Sequence, residues 1–230
     1  EYAKDAALNS EITTGSGLGS PAAKLKEGFV GQQLLKNELL ELQEDIIFNQ
    51  DIFAETLALV GIEGIGKSLI IEQFGNATGL EVITLVQENF KNSTTLIEAV
   101  KTKMQGQGIL FDESKNQVNI PRSIISIENL HTFSKDEQAL VKHFRPMKTA
   151  KSLQGGTKIK FINGLLFISS SNTVDWAKMY TLEPYSRSEI TQIIKRNVQG
   201  GTEEVRKFIS LSGRLNPKLS ISKMQEAIEY

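Results

Sequence analysis

Residues 61–68 form a glycine-rich octapeptide that matches the pattern G-x-x-x-x-G-K-[ST]. Its members are Gly61, Ile62, Glu63, Gly64, Ile65, Gly66, Lys67 and Ser68. The apolar run at residues 56–60 predicts a buried strand before it, and residues 68–74 predict a helix after it. In that setting the glycines let successive backbone N–H groups point at phosphate oxygens, helped by the positive end of the helix. The octapeptide therefore predicts a P-loop that binds a nucleoside triphosphate, which we expect to be ATP.

Two side chains of the loop have specific expected roles. Lys67 is placed to reach the β- and γ-phosphates, and the Ser68 hydroxyl is placed to ligate a Mg²⁺ ion that bridges them. Leu69, the next residue, completes the expected nucleotide-binding set. A glycine-rich turn with a solvated lysine is the alternative interpretation, but it leaves the flanking strand and helix patterns unexplained. We therefore expect ATP and Mg²⁺ as cofactors.

Apolar periodicity predicts strands and helices in alternation along the chain. Helical spacing occurs in residues 32–48, 94–104 and 134–144. Strand-like runs occur in residues 81–86, 124–128 and 165–169. A Gly155-Gly156 turn predicts a β-hairpin, and residues 105–121 predict an irregular loop or a small hairpin. The alternation predicts an α/β fold in which helices flank a parallel sheet.

The chain divides into three predicted parts. Residues 1–27 are rich in Ser, Gly and Ala and predict a flexible N-terminal segment or linker. Residues 28–183 form the predicted nucleotide-binding body. Residues 184–230 predict a small helical lid domain, which opens with a capping box of Ser186 and Glu189. We expect the nucleotide to lie between the body and the lid.

Composition excludes several classes of protein. The chain has 26 Lys plus Arg against 27 Asp plus Glu, so no global field attracts a polyanion. It has no cysteine, hence no disulfide framework or thiolate metal site. No apolar run approaches a membrane span and no signal segment opens the sequence, so we expect a soluble, cytoplasmic protein. Because the first residue is Glu1 rather than Met, we expect a part of something longer.

Beyond the P-loop, the order of motifs over residues 28–230 resembles the AAA+ ATPases, and among them the Clp-type unfoldases. In Clp proteins Pro-x-Ser and four apolar residues lead into Asp-Glu, then a helix, a glycine-turn hairpin and a strand that ends in Thr-Ser-Asn. The corresponding segments here are Pro121-Arg122-Ser123, Ile124-Ile125-Ser126-Ile127, Glu128-Asn129, Gln154-Gly155-Gly156 and Ser170-Ser171-Asn172. Phe29-Val30-Gly31-Gln32 is similar to the AAA+ segment that lies against the adenine.

The resemblance implies roles for individual residues. Val30 would lie against the adenine, and Glu128 would take the place of the Walker B aspartate that holds Mg²⁺ through water. Asn172 would be the sensor-1 residue, and Lys218 the sensor-2 cation, with Arg214 as its alternative. Asn129 would stand where the family has its catalytic glutamate. Since an amide cannot accept a proton from the attacking water, this degenerate Walker B predicts that hydrolysis is slow while binding survives.

A rival alignment places the Walker B motif at Asp112-Glu113, which would restore both carboxylates. The apolar run before it is only three residues long, which is short for a central strand. It would also leave the run at residues 124–127 without a role. The arginine finger of the family has no obvious candidate here, since no arginine occurs between Asn172 and Tyr180, and Lys178 is the nearest cation.

These observations favour an AAA+ module that forms a homo- or hetero-oligomeric ring, binds a protein substrate or assembly partner, and remodels or assembles protein complexes with weak or absent ATP hydrolysis. A second hypothesis is an assembly or switch subunit that binds ATP as a structural ligand and does not hydrolyse it. A DNA-handling helicase or initiator is a third; it depends on the basic residues around the hairpin, Lys142, His143, Arg145, Lys148, Lys151, Lys158 and Lys160. A fully active Clp-like unfoldase would follow if the Walker B motif were Asp112-Glu113.

Overall fold

The structure, a computed structural model, describes residues 25, 30–48, 54–106, 111–147, 151–153 and 156–197. Several predictions fall outside these residues: the N-terminal linker, most of the lid domain, Arg214 and Lys218. The described helices are α1 (Gln33–Phe48), α2 (Lys67–Thr78), α3 (Ser93–Lys103), α4 (Lys135–Phe144) and α5 (Arg187–Asn197). Short 3₁₀ helices are Gln87–Phe90, Glu113–Lys115 and Leu130–Thr132.

Nine described strands form two sheets. The strands are β1 (Ala54–Val60), β2 (Val82–Leu85), β3 (Phe111–Asp112), β4 (Gln117–Asn119), β5 (Ser123–Ile127), β6 (Lys151–Ser152), β7 (Lys158–Lys160), β8 (Gly164–Ser170) and β9 (Lys178–Thr181). The main sheet has the order β2-β5-β8-β1-β9, and every pairing in it is parallel. This arrangement confirms the predicted α/β fold.

The main sheet is covered by helices on both faces. Alternate residues of β8 point to opposite faces, so Leu165 and Phe167 belong to one apolar cluster while Leu166 and Ile168 belong to the other. The first cluster includes buried side chains of α1 and α2, and the second includes those of α3 and α4. Every residue of β5 and β8 is buried. The centre of the sheet is therefore rigid, which fixes the positions of the loops that leave its carboxyl edge.

Strand β9, at the edge of the main sheet, is an element that the sequence pattern did not predict. It pairs with β1 alone, and most of its residues are exposed. An edge strand that contacts the core on one side only does not need a continuous apolar run. The strand nevertheless matters for the site, because the chain that follows it passes over the P-loop.

The second sheet has the order β3-β4-β7-β6 and joins two segments that were predicted separately. β3 and β4 form an antiparallel hairpin within residues 105–121, and β6 and β7 form the hairpin predicted at Gly155-Gly156. The parallel pairing of β4 with β7 connects them. The sequence contains no local signal for that pairing, since the two strands are about forty residues apart and their contact is decided by tertiary packing.

Helix starts agree closely with the predicted capping boxes. The Ser134 hydroxyl accepts from the Glu137 N–H at 3.3 Å, and the Ser134 N–H donates to the Glu137 carboxylate at 2.7 Å. Ser186 and Glu189 make the same pair of bonds at 3.3 and 2.7 Å. Each box supplies partners to backbone N–H groups at the helix terminus that would otherwise lack one. A helix thus begins at the Ser186 capping box, while the lid domain stays a prediction, since most of it lies outside the described residues.

Candidate nucleotide-binding site

The P-loop connects the end of β1 to the start of α2. Its first residue is anchored to the sheet, because the Gly61 N–H donates to the Ser170 carbonyl at 3.0 Å. Gly64 and Gly66 have φ values of 74° and 96°, a left-handed backbone that side chains with a β-carbon rarely adopt. Gly66 is also the N-cap of α2, and no side chain caps that helix. The N–H groups at the start of α2 are therefore left available to an anion.

Lys67 crosses the inside of this loop. Its Nζ donates to the carbonyls of Gly61 at 2.8 Å and Ile62 at 2.9 Å, and only 6% of the residue is exposed. Burial lowers the pKa of Lys67, and the nearby Glu63 carboxylate opposes that shift. No ion pair is formed by Lys67 within the described part of the chain. A buried cation held only by carbonyl oxygens fits a site that receives a phosphate.

Ser68 and Glu128 meet at the next position. The Ser68 hydroxyl donates to the Glu128 carboxylate at 2.8 Å, although sixty residues separate them in sequence. Glu128 directly follows β5, whereas Ser68 lies in the first turn of α2. A hydroxyl and one carboxylate are hard oxygen donors of the kind that Mg²⁺ uses together with phosphate oxygens and water. The residues present thus fit a Mg²⁺ ion that arrives with a nucleotide.

Asn129 occupies a constrained position beside Glu128. Its φ and ψ are 53° and 44°, a left-handed conformation that asparagine tolerates better than most residues do. Its N–H donates to the Ser169 hydroxyl at 3.2 Å, and its carbonyl accepts from the Thr132 N–H and hydroxyl, both at 2.9 Å. Its side chain is exposed at the carboxyl edge of the sheet. An amide therefore stands at that edge, next to the carboxylate that contacts Ser68.

Asn172 follows the end of β8 by two residues. Its N–H donates to the Ser170 hydroxyl at 3.0 Å, and the preceding Ser171 N–H donates to Nδ1 of His131 at 3.2 Å. Because β8 lies between β1 and β5, the loops after all three strands leave the same edge of the sheet. The structure thus gathers the P-loop, Glu128, Asn129 and Asn172 at one edge.

A segment that sequence reasoning did not single out closes the other side of the loop. The Tyr185 hydroxyl donates to the Ile65 carbonyl at 3.1 Å, and burial raises the pKa of Tyr185. Gln32 is bonded to Glu183 twice, through its Nε2 to the Glu183 carbonyl at 2.7 Å and through its Oε1 to the Glu183 N–H at 3.1 Å. A β-carbon on Gly31 would lie 2.3 Å from the Glu189 carboxylate. The chain after β9 is therefore packed against the P-loop and the segment before α1.

The remaining predicted nucleotide contacts differ in exposure. Val30 and Ile65 are buried in the protein, so Ile65 offers only its backbone to a ligand. Ile62 and Leu69 are 48% and 43% exposed. The only sequence signal for Tyr185 was an aromatic residue just before a capping box.

The alternative carboxylate pair lies elsewhere. Asp112 ends β3, which pairs only with β4 in the second sheet. The Ser114 hydroxyl donates to its carboxylate at 2.6 Å and Lys115 forms an ion pair with it at 3.0 Å; the Ser114 bond and then the Lys115 bond hold the pKa of Asp112 low. Neither Asp112 nor Glu113 is hydrogen-bonded to Lys67 or Ser68 among the residues that the structure describes.

The nearest cation to the expected arginine finger is also engaged within its own chain. Lys178 lies on the edge strand β9 and forms an ion pair with Glu38 of α1. The hydrogen bond that Lys178 donates to the Glu38 carboxylate raises the pKa of Lys178. Lys178 therefore stabilises the contact between β9 and α1 in this structure.

No protein-family model matches the sequence, and no curated protein matches it. Solved structures of RuvB from Thermotoga maritima do match. One point mutant superposes with a TM-score of 0.57 at 13% identity, covering 85% of this chain and 61% of that one. A second variant superposes with a TM-score of 0.55 at 14% identity, covering 88% of this chain and 64% of that one. The structure titled as the Holliday junction branch migration motor gives 0.51 at 14% identity, covering 75% and 53%.

The parallel sheet, its flanking helices and the P-loop define a P-loop NTPase fold, which the RuvB structures share. It spans between about half and two thirds of the length of the RuvB structures. At 13–14% identity the likeness concerns the fold and not the activity. Similarity to Clp-type unfoldases in particular has no counterpart among these structures and stays a prediction.

None of the helices in the described ranges combines the length and apolar content that crossing a bilayer would require. Within the same residues, no group of three or more His, Asp or Glu side chains could hold a metal ion by itself. A Mg²⁺ ion at Ser68 and Glu128 would accordingly take its other ligands from phosphate and water.

Replacing Lys67 with alanine should abolish stabilisation by Mg²⁺ and ATP, because the cation that would contact the phosphates is lost. For the unchanged chain, ATP at a hundredfold excess over its Kd should raise the free energy of unfolding by about 2.7 kcal/mol. Thermal unfolding with and without nucleotide measures both effects. Lys103→Ala, at an exposed lysine in the last turn of α3, is the matched control and should respond to ATP like the unchanged chain. Equal responses of the two variants would contradict the assignment.

Proposed function

We propose that this chain is an AAA+ module that binds Mg²⁺ and ATP, oligomerises, and assembles or remodels protein complexes while hydrolysing ATP slowly or not at all. The observation that carries the proposal is the contact of Ser68 with Glu128 at 2.8 Å, beside an amide at position 129. It supports a site that holds the metal and the triphosphate but has no carboxylate in the base position.

Binding is supported by the P-loop geometry. The backbone N–H groups at the start of α2 and the buried Lys67 can donate hydrogen bonds to an anion. No described side chain caps this end of the helix. Ser68 and Glu128 would hold the metal. When bound, Mg²⁺ would neutralise part of the phosphate charge.

Slow hydrolysis follows from the chemistry of Asn129. A general base must accept the proton of the attacking water, and such a group typically contributes about 10²- to 10⁴-fold to a rate. The carboxamide of Asn129 has no basic lone pair at neutral pH, although it can position a water. Glu128, the carboxylate directly before Asn129 in sequence, accepts a hydrogen bond from Ser68 and is the expected metal partner. The site is therefore better suited to holding ATP than to cleaving it.

Oligomer formation and protein remodelling are the less direct parts of the proposal. They follow from the AAA+ fold, in which a neighbouring subunit usually completes the site. Lys178 is bonded to Glu38 of its own chain, which favours a partner that supplies its own cation. The sensor-2 role of Lys218, the lid domain at residues 184–230 and a cytoplasmic location stay predictions.

Restoring a carboxylate at position 129 should create turnover. Asn129→Asp and Asn129→Glu should each raise phosphate release in Mg²⁺ and ATP by about tenfold or more. Aspartate should be tolerated best, since it also adopts the left-handed backbone observed here. Asn129→Gly keeps that backbone without a carboxylate and is the control, for which no gain is expected.

Phosphate release should be measured over a range of protein concentrations. Rapid turnover by the unchanged chain that is abolished by Asp112→Ala or Glu113→Ala would contradict the proposal. It would place the Walker B motif at the rival pair and make the protein an active motor.

Nucleic-acid handling is a second candidate function, favoured by a cluster of cations at the hairpin. Burial lowers the pKa of Lys151, and the charges of Arg145 and Lys142 lower it further. Lys158 and Lys160 lie on one face of β7. None of these cations forms a salt bridge in the described part of the chain. RuvB, which is described as a Holliday junction branch migration motor, has the same fold.

Replacing both Lys158 and Lys160 with alanine tests this second candidate. If the hairpin contacts phosphates, the unchanged chain should retard a DNA duplex in a mobility-shift assay, and affinity should fall steeply with salt concentration. The double variant should lose the shift. A control double variant, Lys103→Ala with Lys135→Ala, removes the same charge from exposed lysines of α3 and α4 and should keep the shift. No shift with the unchanged chain would dismiss nucleic-acid binding.

A further inference from the structure

His131 links the loop after β5 to the loop after β8. It lies in the 3₁₀ helix Leu130–Thr132, and its Nδ1 accepts the N–H of Ser171 at 3.2 Å across forty residues of sequence. Ser170 is the last residue of β8, so this bond lies just beyond the strand ladder. The peptide that it holds is the one that leads into Asn172.

The 3₁₀ turn that carries His131 is held in place by its own contacts. Leu130 and Phe133, on either side of the turn, are 3% and 4% exposed and belong to the apolar core. The Gln138 amide donates to the Phe133 carbonyl at 2.9 Å, and the Thr132 hydroxyl donates to the Asn129 carbonyl at 2.9 Å. The 3₁₀ turn is therefore held by packing and by hydrogen bonds, and the imidazole presents a preorganised acceptor.

The loop after β8 by itself constrains the position of Asn172 less. Its N–H is bonded to the Ser170 hydroxyl at 3.0 Å, a contact within the same loop. Among the described residues, the bond from the Ser171 N–H to His131 is the hydrogen bond that ties residues 171–172 to another loop. Because Nδ1 accepts, a neutral His131 carries its ring proton on Nε2. The imidazole thus does not act as a base on that side.

We infer that His131 is a positioning residue that sets the orientation of Asn172, through the Ser171 N–H, and thereby the preference of the site for ATP over ADP. This inference rests on the proposed function, since it assumes that Asn172 faces the γ-phosphate when a nucleotide is bound. His131 itself contacts the peptide and not the nucleotide. Its loss should alter the response to the γ-phosphate while leaving the rest of the phosphate site intact.

The test is the ratio of the Kd for ADP to the Kd for ATP, measured with Mg²⁺ by equilibrium titration of the full chain. His131→Phe keeps a ring but removes the acceptor, and it should lower the ratio about fivefold with little change in ADP affinity. His131→Asn places an amide oxygen near the position of Nδ1 and should restore the ratio to within about twofold. Ser171→Ala keeps the donating N–H and should have no effect.

A double-mutant cycle separates positioning from general stability. In an Asn172→Ala background, His131→Phe should produce no further change in the ratio, because the residue through which it acts is gone. Thermal unfolding of each variant identifies any that does not fold. If His131→Phe does not fold, His131→Asn is compared instead with Ser171→Pro, which removes the N–H that donates to His131. The ratio of the Kd for ADP to the Kd for ATP should then fall in Ser171→Pro only.

The outcomes also separate this inference from the proposed function. If the unchanged chain prefers ATP and His131→Phe keeps the full ratio, the inference is overturned and the proposed function stands. Equal binding of ATP and ADP by the unchanged chain also overturns it, while leaving nucleotide binding intact. If the chain binds neither nucleotide, both fail together.

Discussion

Strands β5, β8 and β1 run in parallel with Ile127 beside Ile168 and Val60 beside Ser170, so three loops leave the sheet at the same edge. The candidate site depends on this register. It is maintained by strands buried on both faces and by the bond from the Gly61 N–H to the Ser170 carbonyl. A slip of one residue would turn each side chain of β8 to the opposite face. The core thus holds Ser68 within hydrogen-bond distance of Glu128.

The buried lysine and the carboxylate at this edge are hydrogen-bonded to neutral groups and not to each other. A buried lysine is bonded only to carbonyl oxygens, and one carboxylate is bonded to a hydroxyl, while an amide and not a second carboxylate follows it. Under the proposed function, this arrangement would hold a triphosphate and its metal, with the amide of Asn129 in the place of a general base. It favours a module in which nucleotide acts as a structural ligand that stabilises one state of an assembly. Neighbouring subunits could then supply the chemistry that this chain lacks.

Local sequence signals predicted the parts of the structure that local physics determines. The P-loop, the central strands and both described capping boxes follow from glycine placement, apolar runs and Ser-x-x-Glu spacing. The signals did not predict β9, an exposed edge strand, or the parallel pairing of β4 with β7, because tertiary contacts decide both. They likewise missed the roles of Tyr185 and His131. Each makes a hydrogen bond to the backbone of a distant segment, which no short motif encodes.

The central claim is that the site holds ATP without cleaving it, and the state of the bound nucleotide tests that claim most directly. The chain would be incubated for hours with Mg²⁺ and ATP, separated from free nucleotide by gel filtration, quenched in acid and analysed by chromatography. The account predicts that the protein retains nucleotide and that this nucleotide is still ATP. Recovery of the bound nucleotide mainly as ADP, or of no nucleotide at all, would contradict it.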